Sequence, residues 1–566
     1  MTFSGTTLPP RPALAFQVGV TGHRALPDAD TMALAGEASR IFRAIRAQVE
    51  ALLAADQGSR TPLYLADPPH VRCICGLAEG ADTMLAEAAL AEGWELVAVL
   101  PFEHAEYGRD FPPGPALERF RRLLDRASVV FELEGARGRG GEPYAHVGQQ
   151  IVEQSDLMLA VWDGLPPRGP GGTGEVVQHG LDRGMPVAVL APSGSVVPTW
   201  HNAGTGDVAA LLQATLLPPP DPAGFPHRYF TDASSGAAWS RAAVRWFERS
   251  VLIGSFRPAP EPTPPPPVAQ AADNNPITPY FEAADRLAGA YAARYRTSGL
   301  MRYALVLPAT AGSFVAAFGP VWSQPFGYLV QFGSLGALVA FSTRGRWERS
   351  QARFVAYRLL AEYLRNARML APFGAFAQMP GFAAYQARAS DWTAWYGRAV
   401  VRRIGLPSSR QDAAAVSEAA ASIRASTMEQ IEYLSDRADR FAAIASRLKS
   451  IGLGFVIAGI AFSVARASLL YLPFQGRPVV LTNELALILP ALAPVFLGLL
   501  GFGEYSRLVT RYRGVAAELQ RQVAVLDRAA PDRAASLRIA RSIADVMLAE
   551  AADWQLIIKA RALAAY

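Results

Sequence analysis

The chain has 566 residues, more than one hydrophobic core holds, so two or three domains are expected. Apolar residues make up 51% and charged residues only 18%, the greasy, charge-poor end of globular composition. The formal charge of +5 rests almost wholly on arginine, with Lys449 and Lys559 the only lysines. No RNP-like, zinc-finger or helix-turn-helix pattern accompanies it, so direct nucleic-acid binding is not expected. Arginine and alanine richness instead fits a GC-rich bacterial genome.

The N-terminal segment is spotted with proline and glycine and has no long apolar run, which predicts that the first domain stays in the cytosol. From Leu14 to about Leu190, short apolar runs alternate with amphipathic, alanine-rich stretches. Strands are expected at Ala15–Val20, Val71–Cys75, Glu95–Leu100, Ser128–Phe131, Leu157–Val161 and Pro186–Leu190, with helices at Ala33–Leu53 and Ala81–Ala91. Continuous apolar strands separated by helices mean a parallel sheet covered on both faces, a Rossmann-like α/β domain. Cys73 and Cys75 alternate along one strand; with no further cysteine and no nearby histidine they cannot complete a zinc site, and they read as two reduced thiols on one face.

Trp239, Trp246 and Phe247 suggest a packed helix that finishes this domain, residues 12–255. Residues 256–279 are proline-rich and read as an extended spacer. The remainder, 280–566, is expected to be an all-α membrane domain. Four apolar runs, about 303–321, 326–341, 451–470 and 485–502, each approach the ~20 residues that a ~30 Å hydrocarbon core requires. Their short connections make two transmembrane hairpins. Arg294, Arg296, Arg302, Arg344, Arg346, Arg349, Arg447, Lys449, Arg507, Arg511 and Arg513 flank the runs on one side, whereas the connections carry only Arg477. The positive-inside rule then puts both termini in the cytosol of a multi-pass protein of the bacterial inner membrane. Arg466 falls inside the third run, near its outer end, from where it can snorkel to the interface. Long amphipathic helices, Tyr280–Ser298, Arg346–Leu370, Asp412–Ser450, Glu504–Ala529 and Asp532–Ala565, fill the rest, with unbroken continuation from the spans at Ser450 and Glu504. Gly452, Gly454 and Gly459, and Gly498 and Gly501, offer close-packing faces, and a homo-oligomer is expected because four spans per chain make a poor pore.

Three glycine-bearing segments stand at strand ends. They are Val18-Gly19-Val20-Thr21-Gly22-His23-Arg24, Gly76-Leu77-Ala78-Glu79-Gly80-Ala81-Asp82, and Asp163-Gly164 followed by Gly171-Gly172-Thr173-Gly174-Glu175. Ligands of open α/β sheets bind at strand carboxyl ends, where glycine lets the backbone approach a phosphate and a helix N-terminus offers free N–H groups. Thr21 and Thr173 add hydroxyls, and Arg24 a charged fork. A nucleotide or nucleotide-derived ligand is the expected cofactor, although no Walker Gly-Lys-Ser/Thr and no clean G-x-G-x-x-G occurs. His23 reads equally as a ligand contact or a capping residue, and His104 as a surface residue.

These three motifs, in this order, resemble the SLOG superfamily, Rossmannoid domains that include the DNA-processing-protein-A-like and LOG (lysine-decarboxylase-like) groups. The C-terminal layout of paired spans and long helices resembles the SLATT effector domains that accompany SLOG sensors in bacterial conflict systems. The resemblance implies a sensor–effector: a domain that binds a nucleotide-like signal, with Gly19, Thr21, Gly22, Gly76, Glu79, Gly80, Gly172, Thr173, Gly174 and Glu175 in its pocket and Asp163 at a ribose, controlling a helical domain that perturbs the membrane in anti-phage defence. The alternative it implies is a membrane-tethered LOG-like nucleotide N-glycosidase. There the family motif Pro-Gly-Gly-x-Gly-Thr-x-x-Glu carries a catalytic glutamate, and this chain has Glu175 in place of the threonine and Gln178 in place of that glutamate. An amide is no general acid or base, so binding is favoured over catalysis.

Overall fold

The structure is a computed structural model; it describes residues 8–26, 28–167, 169–193, 197–203, 207–221, 224–233, 237–251, 275–343, 346–376, 392–469, 477–529 and 532–564. Most of the proline-rich spacer and residues 470–476, part of the expected connection between the third and fourth apolar runs, lie outside the described residues. The first half follows the expected alternation: β1 (Ala15–Gly22), α1 (Asp28–Gln57), β2 (His70–Cys75), α2 (Ala81–Ala91), β3 (Glu95–Leu100), α3 (His104–Tyr107), α4 (Pro115–Arg126), β4 (Val129–Glu132), α5 (Glu142–Gln154), β5 (Leu157–Val161), α6 (Thr173–Asp182) and β6 (Val187–Leu190). Then come β7 (Thr199–His201), α7 (Val208–Leu216), α8 (Phe225–Phe230) and α9 (Ala237–Val251).

Both faces of the strands are apolar, as a covered parallel sheet requires. Val18, Val20, Cys73, Cys75, Leu96, Ala98, Leu157 and Leu159 pack toward α1 and α2. The alternate residues Ile74, Val97 and Val99 meet Val147 and Ile151 of α5, while Met158 and Ala160 meet Val176 and Val177 of α6. Both cysteines are free and buried on one face, and burial pushes their thiols up, which keeps them unreactive.

The strand order is β7-β6-β5-β1-β2-β3-β4-β8. Strands β1 to β6 run parallel, and β7 is antiparallel to β6. The chain builds outward from β1 through β2, β3 and β4, then returns to place β5 on the other side of β1. The β1–β5 boundary is therefore the topological switch point.

The far edge was not expected. Strand β8 (Ser409–Arg410) comes from beyond the proline-rich spacer and pairs with β4, Phe131 opposite Ser409 and Glu132 opposite Arg410. Just before it, α14 (Trp392–Ile404) packs against the sheet, and Arg72 donates to the carbonyls of Arg402 at 2.6 Å and Arg403 at 3.1 Å. That satisfies carbonyls left open at the helix C-terminus. The Arg402 guanidinium pairs with half-buried Asp156 at 2.5 Å, and Trp395 Nε1 donates to Leu216 O at 2.7 Å. One hydrophobic core runs continuously from Val18 and Leu85 through Tyr229 to Tyr357, Trp395 and Leu519, so residues on both sides of the spacer share it.

The remaining helices are α10 (Thr278–Ala304), α11 (Val306–Phe318), α12 (Gln324–Thr343), α13 (Arg346–Leu370), α15 (Ala413–Leu469), α16 (Arg477–Gly503), α17 (Tyr505–Leu526) and α18 (Arg533–Ala564). Among the described residues, three stretches are long and apolar enough to cross a membrane: Thr278–Phe318, Ala413–Ser468 and Leu485–Leu526. The fourth expected span falls in α12, which is not among these three; Phe326, Leu329, Phe332 and Val339 stand exposed along it. Helix α15 passes through Ser450 unbroken, as expected. At Glu504 the helix breaks instead: Glu504 is left-handed, with φ 47°, and separates α16 from α17. Helix α9 forms where predicted, but Trp239 and Trp246 are exposed, and only Phe247 of the three packs, against residues of α10, α15, α16 and α17. Periodicity located that helix, but not which of its faces is covered.

The glycine faces are used within the chain. A Cβ on Gly459 would strike the Pro490 ring, and one on Gly498 the Tyr303 ring; Gly452 is in ordinary contact, and Gly454 and Gly501 face open space. Backbones approach closely between α11 and α12, where a Cβ on Gly312 would lie 2.7 Å from Gly327 O and one on Gly327 closer still to Ala316 N.

Candidate functional site: a glycine-lined crevice at the switch point

A cavity of about 310 Å³ opens at the carboxyl ends of β1, β2, β3 and β5, at the switch point. All three glycine segments converge on it. Thr21, Gly22, His23 and Arg24 come from the end of β1, and Gly76 with Ala78 from the loop after β2. Trp162 and Asp163 follow β5, and Gly171, Gly172, Thr173 and Gly174 form the entry to α6. Helix α5 supplies one wall through Tyr144, Val147, Gly148 and Ile151, the i, i+3, i+4, i+7 spacing of a single helix face.

Four predicted residues do not line the cavity. Gly19 lies within β1 on the face toward α5, where a Cβ would meet Ser155 and Ile151. Gly80, at φ 95°, lets the loop before α2 cross the loop after β1; a Cβ there would collide with the carbonyl of Arg24, and Ala81 N donates to His23 O at 3.0 Å. Glu79 is exposed. Glu175 turns back, and its carboxylate accepts from Gly171 N–H at 2.5 Å, so it shapes the glycine loop and does not face the ligand space. Gln178, in the position of the LOG glutamate, is exposed and donates to Asp182 at 2.7 Å.

His23 and Asp163 bridge the switch point. Asp163 N–H donates to His23 Nε2 at 3.2 Å, and the Asp163 carboxylate, 3.2 Å from the same nitrogen, accepts from Leu165 N–H at 3.0 Å. Arg24 lies over the Tyr144 ring at 5.8 Å and has no carboxylate within ion-pair distance among the described residues. The α6 N-terminus begins at Gly172, with its first N–H groups and positive dipole directed at the crevice.

Two features of the site were not anticipated. Asp82, on the cavity wall, is buried and accepts from Gly22 N–H at 3.0 Å and Ala78 N–H at 3.4 Å. Burial raises its carboxyl to about 7, against the opposing pull of those two N–H groups and the Arg24 charge. Leu77, buried between the glycine loops, holds a left-handed backbone with φ 54°, a conformation costing about 1–3 kcal/mol for a residue with a side chain. Both lie inside the second glycine segment, but an aspartate in a helix's first turn ordinarily stays in solvent, so sequence alone gave no signal of its burial. His104, expected at the surface, is exposed and meets Glu132 at 2.7 Å. Among the described residues no cluster of histidine, cysteine, aspartate and glutamate can hold a metal ion.

The α/β fold and the switch-point crevice thus define a Rossmann-like protein that carries helices long and apolar enough to span a membrane. Comparison with family models, with curated proteins and with solved structures returns no match.

Proposed function

We propose that this chain is a membrane-anchored sensor whose cytosolic crevice binds a nucleotide or nucleotide-derived signal and whose helical half acts in the bilayer. The observation that carries the reading is the convergence of three glycine loops, a helix N-terminus and Arg24 on one cavity at the switch point. A volume of about 310 Å³ sits at the small end of ligand pockets and favours a mononucleotide-sized group over a dinucleotide. The resemblance to SLOG and SLATT domains supports the same division of labour, including a role in defence and a homo-oligomeric membrane assembly. Four spans, with α12 paired to α11 as a hairpin, give an even number of crossings and keep both termini in the cytosol, in accord with the arginine distribution.

Asp82 supports a second reading, a tethered nucleotide hydrolase, because a carboxyl near 7 on the cavity wall is suited to proton transfer at neutral pH. Full-length protein in detergent micelles, titrated with AMP, cyclic AMP, NAD and ADP-ribose, separates the two. Thermal stabilisation with the nucleotide recovered intact supports the sensor. Consumption of the nucleotide that is lost in Asp82→Asn supports the hydrolase, and no stabilisation by any of the four counts against both.

A further inference from the structure

Helix α5 has two working faces. The front lines the crevice, and its N-terminal turn carries the glycine loop: a Cβ on Gly171, itself at φ 76°, would overlap Tyr144 Cβ. The back is held by two separate pieces of the helical half. Gln150 Nε2 and Gln154 Nε2 both donate to Gly374 O, at 2.6 and 2.7 Å. Gly374 is the left-handed residue, φ 64°, that ends the turn after α13, and a Cβ there would press on Phe131 and Leu406. Gln150 Oε1 accepts at 3.0 Å from Arg533, the first residue of α18, and Glu153 accepts at 2.6 Å from Arg541, about two turns further on. Arg533 is itself buried, donates to Phe373 O at 2.7 Å, and has its backbone N–H capped by Glu134 at 2.8 Å.

The chain connections give this meeting its meaning. Helix α13 follows the apolar hairpin α11–α12, and α18 follows α17, which descends from the apolar helix α16. The cytosolic ends of two membrane-derived helices are therefore fastened to the back of the helix whose front lines the pocket. The joints at Gln150, Gln154 and Arg533 are buried amide and guanidinium hydrogen bonds, which tolerate small displacements poorly and are costly to leave unpaired.

We infer that α5 is the transmission element of the molecule: filling the crevice displaces α5, and through Gln150, Gln154 and Glu153 it displaces the turn at Gly374 and the N-terminus of α18 together. The inference rests on the crevice being the ligand site, but its test does not need the natural ligand. Because Cys73 and Cys75 are buried, Thr173→Cys in the full chain offers a single reactive thiol on the cavity wall, and N-ethylmaleimide fills the crevice covalently. Hydrogen–deuterium exchange is then compared between labelled and unlabelled protein in lipid nanodiscs. The expected result is a change of about fivefold or more in exchange rate in α5, at residues 371–375 and at 533–541, the scale of a modest coupling between sites. In a Gln150→Leu/Gln154→Leu background the change at 371–375 should be lost, and that at 533–541, still tied to α5 through Glu153 and Arg541, should fall at least about twofold. Gln154→Leu alone, which leaves Gln150 on Gly374 and preserves the fold, should weaken transmission to 371–375 at least about twofold. A change confined to α5 in the parent, or one transmitted undiminished in the leucine variants, overturns the inference. Either result leaves nucleotide binding itself to be judged by the titration above.

Discussion

His23 Nε2 and the backbone nitrogen of Asp163 are 3.2 Å apart, which latches the loop after β1 to the loop after β5 across the one place where the sheet reverses its building direction. A ligand entering the crevice meets both loops already fixed. Removing the latch with His23→Ala should leave the fold standing and weaken binding of whichever nucleotide stabilises the parent by about tenfold, near 1.4 kcal/mol. Calorimetric titration of both proteins checks this, and equal affinities would reduce the latch to a loop contact.

Glu175 distinguishes shaping from chemistry. Its carboxylate accepts from Gly171 N–H, and Gln retains an oxygen able to do so. Glu175→Gln should therefore bind nucleotide within about threefold of the parent, whereas Glu175→Ala leaves that N–H unpaired at a cost of about 1–3 kcal/mol in loop order. Exchange at residues 169–174 and nucleotide affinity should both separate the two variants.

Asp82 sets a pH dependence whose sign is fixed. Its carboxyl is raised in the folded state from 3.8 to about 7, so the folded chain holds the proton more tightly than the unfolded one. Its favourable contribution is complete below about pH 4 and is lost as pH rises through about 7. The stability of Asp82→Asn should therefore decline less between pH 4 and 7 than that of the parent in parallel melts. For an anionic ligand the consequence points the same way: affinity should fall above about pH 7 in the parent and much less in Asp82→Asn.

How far the sequence reveals this site depends on which forces act locally. The strands were legible because Leu157–Val161 and its neighbours are continuous apolar runs, and the glycine loops because positive-φ turns at strand ends, as at Gly80 and Gly171, tolerate few other residues. Asp82 was not, since only the tertiary closure of the Gly22 and Ala78 loops removes it from water. Glu175 looked like a pocket residue by motif position, yet the backbone of its own loop claims its side chain. Strand β8 is the extreme case. Ser409 and Arg410 have no strand pattern and pair only because β4 presents an open edge.

The α11–α12 hairpin should depend on its glycines. A Cβ on Gly312 would come within 2.7 Å of both Gln331 N and Gly327 O, so no larger side chain fits without parting the helices. Gly312→Val should lower the melting temperature of detergent-solubilised protein by several degrees. Gly336, whose Cβ would meet open space, is the control, and Gly336→Ala should change little.

Crossing number is open to a direct test. Reporter fusions placed before residue 8 and after residue 566 should both report the cytosol if α12 crosses with α11. Opposite compartments would mean that only the three longer apolar stretches cross.

The pairing of β4 with β8 also dictates when the α/β half is completed during synthesis. Val130 N–H donates to Ser408 Oγ across 278 positions of chain. At about 5–20 residues per second the ribosome takes roughly 15–60 s to bridge that gap. Throughout that interval the nascent sheet has an unfinished margin, and the apolar hairpin emerges before the strand that closes it. The crevice-bearing half thus reaches its final form only after translation has passed the α11–α12 hairpin. The crevice and the apolar hairpin are therefore finished together, with no stage of synthesis at which the α/β half is complete before that hairpin has emerged.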